Sequence, residues 1–392
     1  MKRIYLDYAS TTPIDPAVLK TMKPYLDSLA GNPSSFHFFG RKSEKAIENA
    51  RQKVAKFLNC SPEEIVFTGS ATEANNLAIF GIIKSFNFAS VKPHIITSLI
   101  EHSSVFKPCR ALEEQGAEVT YLPATRDVFA RISDVKKAIK ENTVLVSIIY
   151  ANNEVGTIQP IVEMARAIRR FKKSEKYPLF HIDAVQAVNY LDCDVKKLGV
   201  DLLSLSGQKI YGPKGVGALY IKKGTPITPL IHGGGQEGGL RSGTENVAFI
   251  IGLGEAIFQI KKNRQKSAKI RNLKNKLYGG IIKNISDIKL NGSLENSLPN
   301  ILNITFRGVE GEAIGLALDS KGIAVSTGSA CAAYDLKPSR VLLAMGLSHE
   351  QAHGAIRFSL GKYTTEKEID EVLKVLPGII KRLRKISGYN SK

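Results

Sequence analysis

The sequence predicts an α/β protein, a mostly parallel sheet covered by helices on both faces and followed by a smaller α+β domain. Short apolar runs alternate with segments of helical spacing from about residue 46 to residue 206. Several of these runs are apolar throughout, as strands buried on both faces are. After about residue 247 the texture changes to a long Lys-rich helical segment that ends near residue 284. With 392 residues the chain is long enough for two domains with sizeable cores.

In order, the apolar positions 46, 47, 50, 54, 57 and 58 lie on one helical face. Ser61-Pro62-Glu63-Glu64 supplies a cap, a proline at the first helical position and acids for the helix dipole, so a helical turn follows. IVFT (65–68) reads as a strand. The alternation then runs helix 72–85, strand HIITS (94–98), helix 103–115, strand AEVTYL (117–122), helix 132–141, strand TVLVSIIY (143–150), helix 161–173, and strands LFHID (179–183) and VDLLSLS (200–206). Beyond residue 284 come strand NILNITF (300–306), a helix, GIAVST, strand AIRFSL (355–360) and a final helix. The first dozen residues are expected to complete this second domain.

Hydrophobic residues at 43% and charged residues at 23% exclude a disordered class. MKRIYLDYASTTP has no apolar stretch behind its basic residues, and no run reaches the roughly 18 apolar residues of a membrane span, which predicts a cytoplasmic protein without a membrane partner. Four cysteines, Cys60, Cys109, Cys193 and Cys331, lie far apart with no C-x-x-C pair, so neither a zinc site nor a disulfide framework is indicated. A net charge of +19 raises a nucleic-acid partner. Yet the lysines are spread through helices, KRLRKISGYNSK is the one dense cluster, and no nucleic-acid-binding signature accompanies it. A solvated Lys-rich surface is the favoured reading.

Ligands of such folds sit beyond the carboxyl ends of the strands, and four clusters begin there, near 69–72, 101–103, 153–154 and 183–186. Thr68-Gly69-Ser70-Ala71-Thr72-Glu73 joins a strand to a helix start, where small residues and the helix dipole suit a phosphate; glycine-rich turns of this kind also arise for steric reasons alone. His102 is placed to stack on a cofactor ring and shuttle protons, and equally to be a satisfied turn histidine. Asp183 and Gln186, three residues apart, can reach one ligand, although Asp183 also suits a helix N-cap. Lys209, after VDLLSLS and before Tyr-Gly-Pro-Lys-Gly, sits where a chain leaves a sheet. A desolvated amine there can bond an aldehyde, and a surface lysine at a turn fits the same stretch. Cys331 lies in STGSACAAY, whose small residues suit an accessible, mobile loop and a reactive thiol, whereas the structural reading is favoured for the other three cysteines.

Taken together, the motifs YLDYASTTP, GNPSSFH, FTGSATEANN, EHSSV, NNEVGTIQP, HIDAVQ, SGQKIYGPKG, GGGQEGGLRSGTEN, STGSAC and IRFSLGKYTTEKEID resemble, in one order across essentially the whole chain, the NifS/IscS-like cysteine desulfurases of the class V, fold-type I pyridoxal-phosphate enzymes. The resemblance implies a seven-stranded-type sheet in a large cofactor-binding domain (residues 15–260), and a small α+β domain (1–14 and 261–392) that carries Cys331. It implies that Lys209 bonds pyridoxal 5'-phosphate, Asp183 pairs with the pyridine nitrogen, Gln186 meets the phenolic oxygen and His102 stacks on the ring. Ala71, Thr72, Ser206 and Gln208 would surround the phosphate, with Thr244 reaching in from the partner subunit of a homodimer. Asn153 would orient substrate and cofactor, and Asn32 and Arg357 would hold the substrate carboxylate. L-cysteine would become L-alanine, with its sulfur left on Cys331 as a persulfide for an iron-sulfur scaffold or a tRNA-thiolating enzyme. A selenocysteine lyase or another cysteine lyase is the alternative within the fold, and a basic RNA-binding protein the alternative outside it. Two positions depart from the family pattern: residue 208 is Gln where His is usual, and the phosphate turn reads Thr68-Gly69-Ser70 where Thr-Ser-Gly is usual.

Overall fold

The computed structural model describes residues 3–86, 91–125, 129–171, 176–327 and 338–389. The chain opens with β1 (Ile4–Tyr5), α1 (Pro16–Leu26) and α2 (Phe38–Leu58), then alternates β2 (Ile65–Thr68), α3 (Ala71–Ser85), β3 (His94–Ser98), α4 (Ser103–Glu114), β4 (Glu118–Leu122), α5 (Ile132–Ala138), β5 (Thr143–Ile149), α6 (Ile161–Phe171) and β6 (Leu179–Asp183). The short α7 (Val195–Leu198) leads to β7 (Leu202–Ser206) and β8 (Gly217–Ile221). Seven strands form one sheet in the order β2-β8-β7-β6-β5-β3-β4. All are mutually parallel except β8, which runs antiparallel to both its neighbours.

Side-chain alternation divides this sheet between two cores. Phe180, Ile182, Leu203 and Leu205 point to the face covered by α2, α6 and α8. Leu179, Leu202 and Leu219 point to the face covered by α3 and α4. Burial on both faces is what the unbroken apolar runs required.

The Lys-rich segment is two helices, α8 (Val247–Arg264) and α9 (Ser267–Asn284), rather than one. There follow β9 (Ile288–Asn291), β10 (Ile301–Phe306), α10 (Gly311–Asp319), β11 (Ile323–Ala324), α11 (Arg340–Ala344), α12 (His349–His353), β12 (Ala355–Ser359) and α13 (Glu366–Ser387). An antiparallel sheet β12-β10-β9 packs with α9, α10 and α13 around its own core, to which Ile4 and Leu6 also belong, and β1 pairs in parallel with β11. α8 continues past residue 260 to Arg264, and the two cores part between Ile260 and Ile270.

Several elements differ from the sequence reading. α2 begins at Phe38, eight residues before Ala46, because His37 caps it and its first turns bury only the small Gly40 and Ser43 and so carry no apolar periodicity. α5 stops at Ala138. β8 escaped the reading, since GALYI follows a Gly-rich turn and gives a signal only five residues long. β6 ends at Asp183, as the LFHID (179–183) strand predicts. Among the described residues no helix is long and apolar enough to cross a membrane.

Candidate active site

The carboxyl edge of the large sheet gathers the predicted residues. Asp183, almost fully buried, ends β6; its Oδ1 accepts the Val185 amide at 3.0 Å and its Oδ2 accepts Asn75 Nδ2 at 2.8 Å. Asn75 lies one turn into α3, and its other amide hydrogen goes to Ser104 Oγ at 2.8 Å. Ser104 in turn faces His102 Nδ1, with Oγ at 2.8 Å and N at 3.1 Å, so His102 caps α4. Burial lowers the pKa of His102, opposed by the Asp183 charge and reinforced by Lys209, Arg340 and Arg357.

Lys209 ends a turn of 3₁₀ helix directly after β7. Its Nζ donates to the carbonyl of Ala9 at 2.7 Å and to that of Ser10, and Gln186 Nε2 donates to the same Ala9 oxygen at 2.9 Å. The N-terminal segment is held there as a strap: Thr12 N and Oγ1 both donate to the Gln208 carbonyl, and Thr12 Oγ1 accepts the Tyr211 amide at 2.8 Å. Tyr211 is buried with a left-handed φ of 66°, an unfavourable conformation for a bulky residue that the strap and the Lys362 amide on its hydroxyl hold in place.

The expected phosphate groups converge through a glycine. Gly217 of β8 is in register with both Thr68 and Ser206, and a Cβ there would stand 2.8 Å from the Ala71 nitrogen and 2.9 Å from the Leu205 oxygen. Without that side chain, Ala71 and Thr72 at the α3 N-terminus sit beside Ser206, whose Oγ donates to Gln208 Oε1 at 2.9 Å. The Gly69 amide is taken by Glu73 Oε2 at 2.8 Å, and Arg241 holds the other carboxylate oxygen of Glu73. The first-turn amides of Ala71 and Thr72 have no acceptor within their helix.

At the other end Arg357 of β12, nearly inaccessible, donates through Nη2 to Asp7 Oδ1 at 2.9 Å and to Ser10 Oγ at 2.7 Å, and through Nη1 to the Asn153 carbonyl at 2.9 Å. Arg357 Nε and Asn153 Oδ1 are buried and have no hydrogen-bond partner among the described residues. Beneath the site lie two buried acids. Burial pushes Glu101 up to about 8, against hydrogen bonds from Ser98 and the Ile149 amide. It pushes Glu154, which accepts from Ser339 Oγ, up to about 7.

Two predicted residues stand apart from this constellation. Asn32 is exposed and caps the Ser34 amide at 2.9 Å, with no hydrogen bond to Arg357. Thr244 is exposed, in a loop that Arg241 ties to α3. Cys331 lies outside the described residues. The other three cysteines are poor nucleophiles, since burial pushes each of Cys60, Cys109 and Cys193 up to about 12. Among the described residues no cluster of three or more His, Cys, Asp and Glu could hold a metal. Sequence reasoning missed Asp7, Ser10, Asn75 and Ser104; only Asn75 left a trace, as an amide on the apolar face of α3.

The family model for aminotransferase class V matches residues 4–372. The chain belongs to that family. Among curated relatives it is 50% identical to a cysteine desulfurase IscS of Dictyoglomus turgidum, over 100% of this chain and 98% of the relative, and 46% identical to one of Serratia proteamaculans, over 98% and 94%. Among solved structures it is similar to a NifS-like protein with a TM-score of 0.91 at 40% identity, covering 97% of this chain and 100% of the other. It is also similar to SspA, solved in complex with cysteine, with a TM-score of 0.81 at 39% identity over 93% and 100%.

Proposed function

We propose that this class-V member is a pyridoxal-phosphate-dependent cysteine desulfurase that converts L-cysteine to L-alanine and leaves the sulfur on Cys331 as a persulfide. The observation that carries the reading is the convergence of Lys209, Asp183, Gln186 and His102 at one sheet edge, with Arg357 Nε and Asn153 Oδ1 buried and without a partner among the described residues. The residues fit the cofactor. A carboxylate seated by an amide and a backbone N–H suits a pyridinium; the Gly217 cradle between a helix N-terminus and Ser206 suits a phosphate; Lys209 ends the turn that follows Ser206.

When bound, the cofactor supplies the electron sink. The chain supplies position and charge. Lys209 would bond the cofactor aldehyde, Asp183 would hold the ring nitrogen, Gln186 would meet the phenolic oxygen and His102 would cover a ring face. Ala71, Thr72, Ser206 and Gln208 would hold the phosphate, with Thr244 of a second copy completing the pocket in a homodimer. Arg357, with Asn32 and Asn153, takes the substrate carboxylate; a planar guanidinium already fixed by Asp7 and Ser10 loses little freedom in doing so. The Cys331 thiolate takes the sulfur atom of L-cysteine, the carbon–sulfur bond breaks, and the released carbon is protonated to give alanine. An iron-sulfur scaffold or a tRNA-thiolating enzyme then receives the persulfide sulfur, in the cytoplasmic setting the sequence led us to expect.

The test is incubation of cofactor-loaded enzyme with L-cysteine, alanine quantitation and mass spectrometry of the Cys331 peptide. Alanine in step with one added sulfur on Cys331 supports the reading. Full alanine production by Cys331→Ser, with sulfide released directly, would replace it with a cysteine or selenocysteine lyase.

A further inference from the structure

One hydrogen-bonded chain in the site has a fixed polarity. A carboxylate only accepts, so Asn75 must turn its NH₂ toward Asp183 Oδ2 rather than its oxygen. The same nitrogen then gives its second hydrogen to Ser104 Oγ, which is thereby an acceptor on that side and has its own hydrogen to donate onward. That hydrogen meets His102 Nδ1 at 2.8 Å, where the Ser104 backbone N–H also points at 3.1 Å. Two donors converge on one ring nitrogen, and a nitrogen that accepts carries no proton.

We propose that Asn75 and Ser104 are positioning residues that set the tautomer of His102, so that the ring is neutral, Nδ1 is an acceptor and Nε2 carries the hydrogen. His102 then faces the reaction as an N–H donor and not as a base. Protonating Nδ1 would lose the bond from the Ser104 backbone N–H, force the Ser104 hydroxyl to turn from donor to acceptor and place a cation in a buried site, which is the direction in which burial already acts. The cost of the arrangement is visible in Asn75 Oδ1, which is buried with no partner among the described residues because the amide's orientation is dictated by Asp183. Charge on Asp183 and tautomer on His102 are therefore coupled through two neutral side chains.

The tautomer rests on geometry alone, and its use in turnover rests on the desulfurase reading. The two are tested separately by nitrogen NMR on cofactor-loaded enzyme carrying ¹⁵N-histidine, with the His102→Gln spectrum identifying the ring among the 7 histidines. The expected result from about pH 6 to about pH 8 is a pyridine-type Nδ1 and a pyrrole-type Nε2. Ser104→Ala should move both signals toward their average and lower kcat about tenfold with KM for L-cysteine unchanged, the loss typical of removing an outer positioning partner. Ser104→Thr should restore both readouts. Asp183→Asn, which frees Asn75 to turn over, should average the signals as well, and it decides the matter if Ser104→Ala does not fold. A wild-type ring protonated on Nδ1 or on both nitrogens would overturn the proposal. So would unmoved signals in folded Ser104→Ala. Neither outcome bears on whether the protein desulfurates cysteine.

Discussion

At the β6–β7 edge the charged side chains that would meet the cofactor are held by protein donors and acceptors, whereas at the Arg357 end a buried cation and a buried amide each keep one atom without a partner among the described residues. Asp183 is seated by an amide hydrogen and a backbone N–H, and Lys209 by the strap carbonyls of Ala9 and Ser10. Arg357 spends Nη1 and Nη2 on Asn153, Asp7 and Ser10 but leaves Nε unused, and Asn153 Oδ1 is unused beside it. Burying a polar atom without a partner costs roughly 1–3 kcal/mol. On the desulfurase reading the difference separates an end that would keep its ligand from one that would exchange it: the paired end would be preorganised for a resident group, and the unpaired end would recover its cost each time a substrate carboxylate arrived.

The comparison breaks most completely at the lysine. Lys209→Ala should lose the yellow absorbance of the lysine-bound cofactor and reduce turnover to background, because no other amine has been placed at that strand end; a retained absorbance would remove Lys209 from its role. Asp183→Asn comes next. It keeps the shape and removes the charge that holds the ring nitrogen, so kcat should fall by about 10²-fold at saturating cofactor, the lower range for a group acting in proton chemistry. Wild-type kcat would show that the paired end does not depend on its carboxylate. Arg357→Gln acts on the unpaired end. Losing a charge-assisted hydrogen bond of about 1.5–3 kcal/mol should raise KM for L-cysteine about 10- to 100-fold while the cofactor absorbance stays. A change in kcat with KM unmoved would place the carboxylate elsewhere.

The same contrast explains what could be read from the sequence. The paired end was legible because its residues are chemically distinctive and stand at strand ends, and the alternation of apolar runs and helical faces locates strand ends without any knowledge of register. The strap was not. Ala9 and Ser10 act on Lys209 through main-chain carbonyls, which carry no signal of residue type, and their approach to a lysine 200 residues away depends on β1 pairing with β11 and Asp7 bridging Ser359. Asn75 and Ser104 are ordinary polar residues until α3 and α4 bring them within 2.8 Å. Gly217 was invisible for a related reason, since its function is the absence of a Cβ between two segments that meet only in the folded sheet.

The smallest effect on activity sharpens the comparison from underneath. Glu101 precedes His102 and lies wholly buried; Oε1 accepts from Ser98 and from the Ile149 amide, and Oε2 has no partner among the described residues. Burial raises its pKa to about 8 in the folded chain, from an ordinary value near 4.5, and that of Glu154 to about 7. A raised folded pKa means the folded state binds more protons than the unfolded state, so these acids contribute stability that is fully present below about pH 4.5 and lost as pH rises through their folded values. His94 and His181 act oppositely, because burial lowers them to about 4 and about 3, but that contribution is complete once pH passes their ordinary value of 6.5. Lys274, lowered by burial to about 8, enters only at the top of the range. Between pH 6.5 and 8 the two acids therefore dominate, and stability should fall by about 1–2 kcal/mol across that window. Glu101→Gln, which imitates the neutral acid, should match the wild type only near pH 4.5, already exceed it at pH 6.5 and exceed it by more at pH 8 in denaturant melts, and keep kcat within about threefold, since Glu101 is placed beneath the site and not among the reacting groups. An unchanged slope between those two pH values would show that Glu101 is ionised in the folded protein and that Oε2 has found a donor.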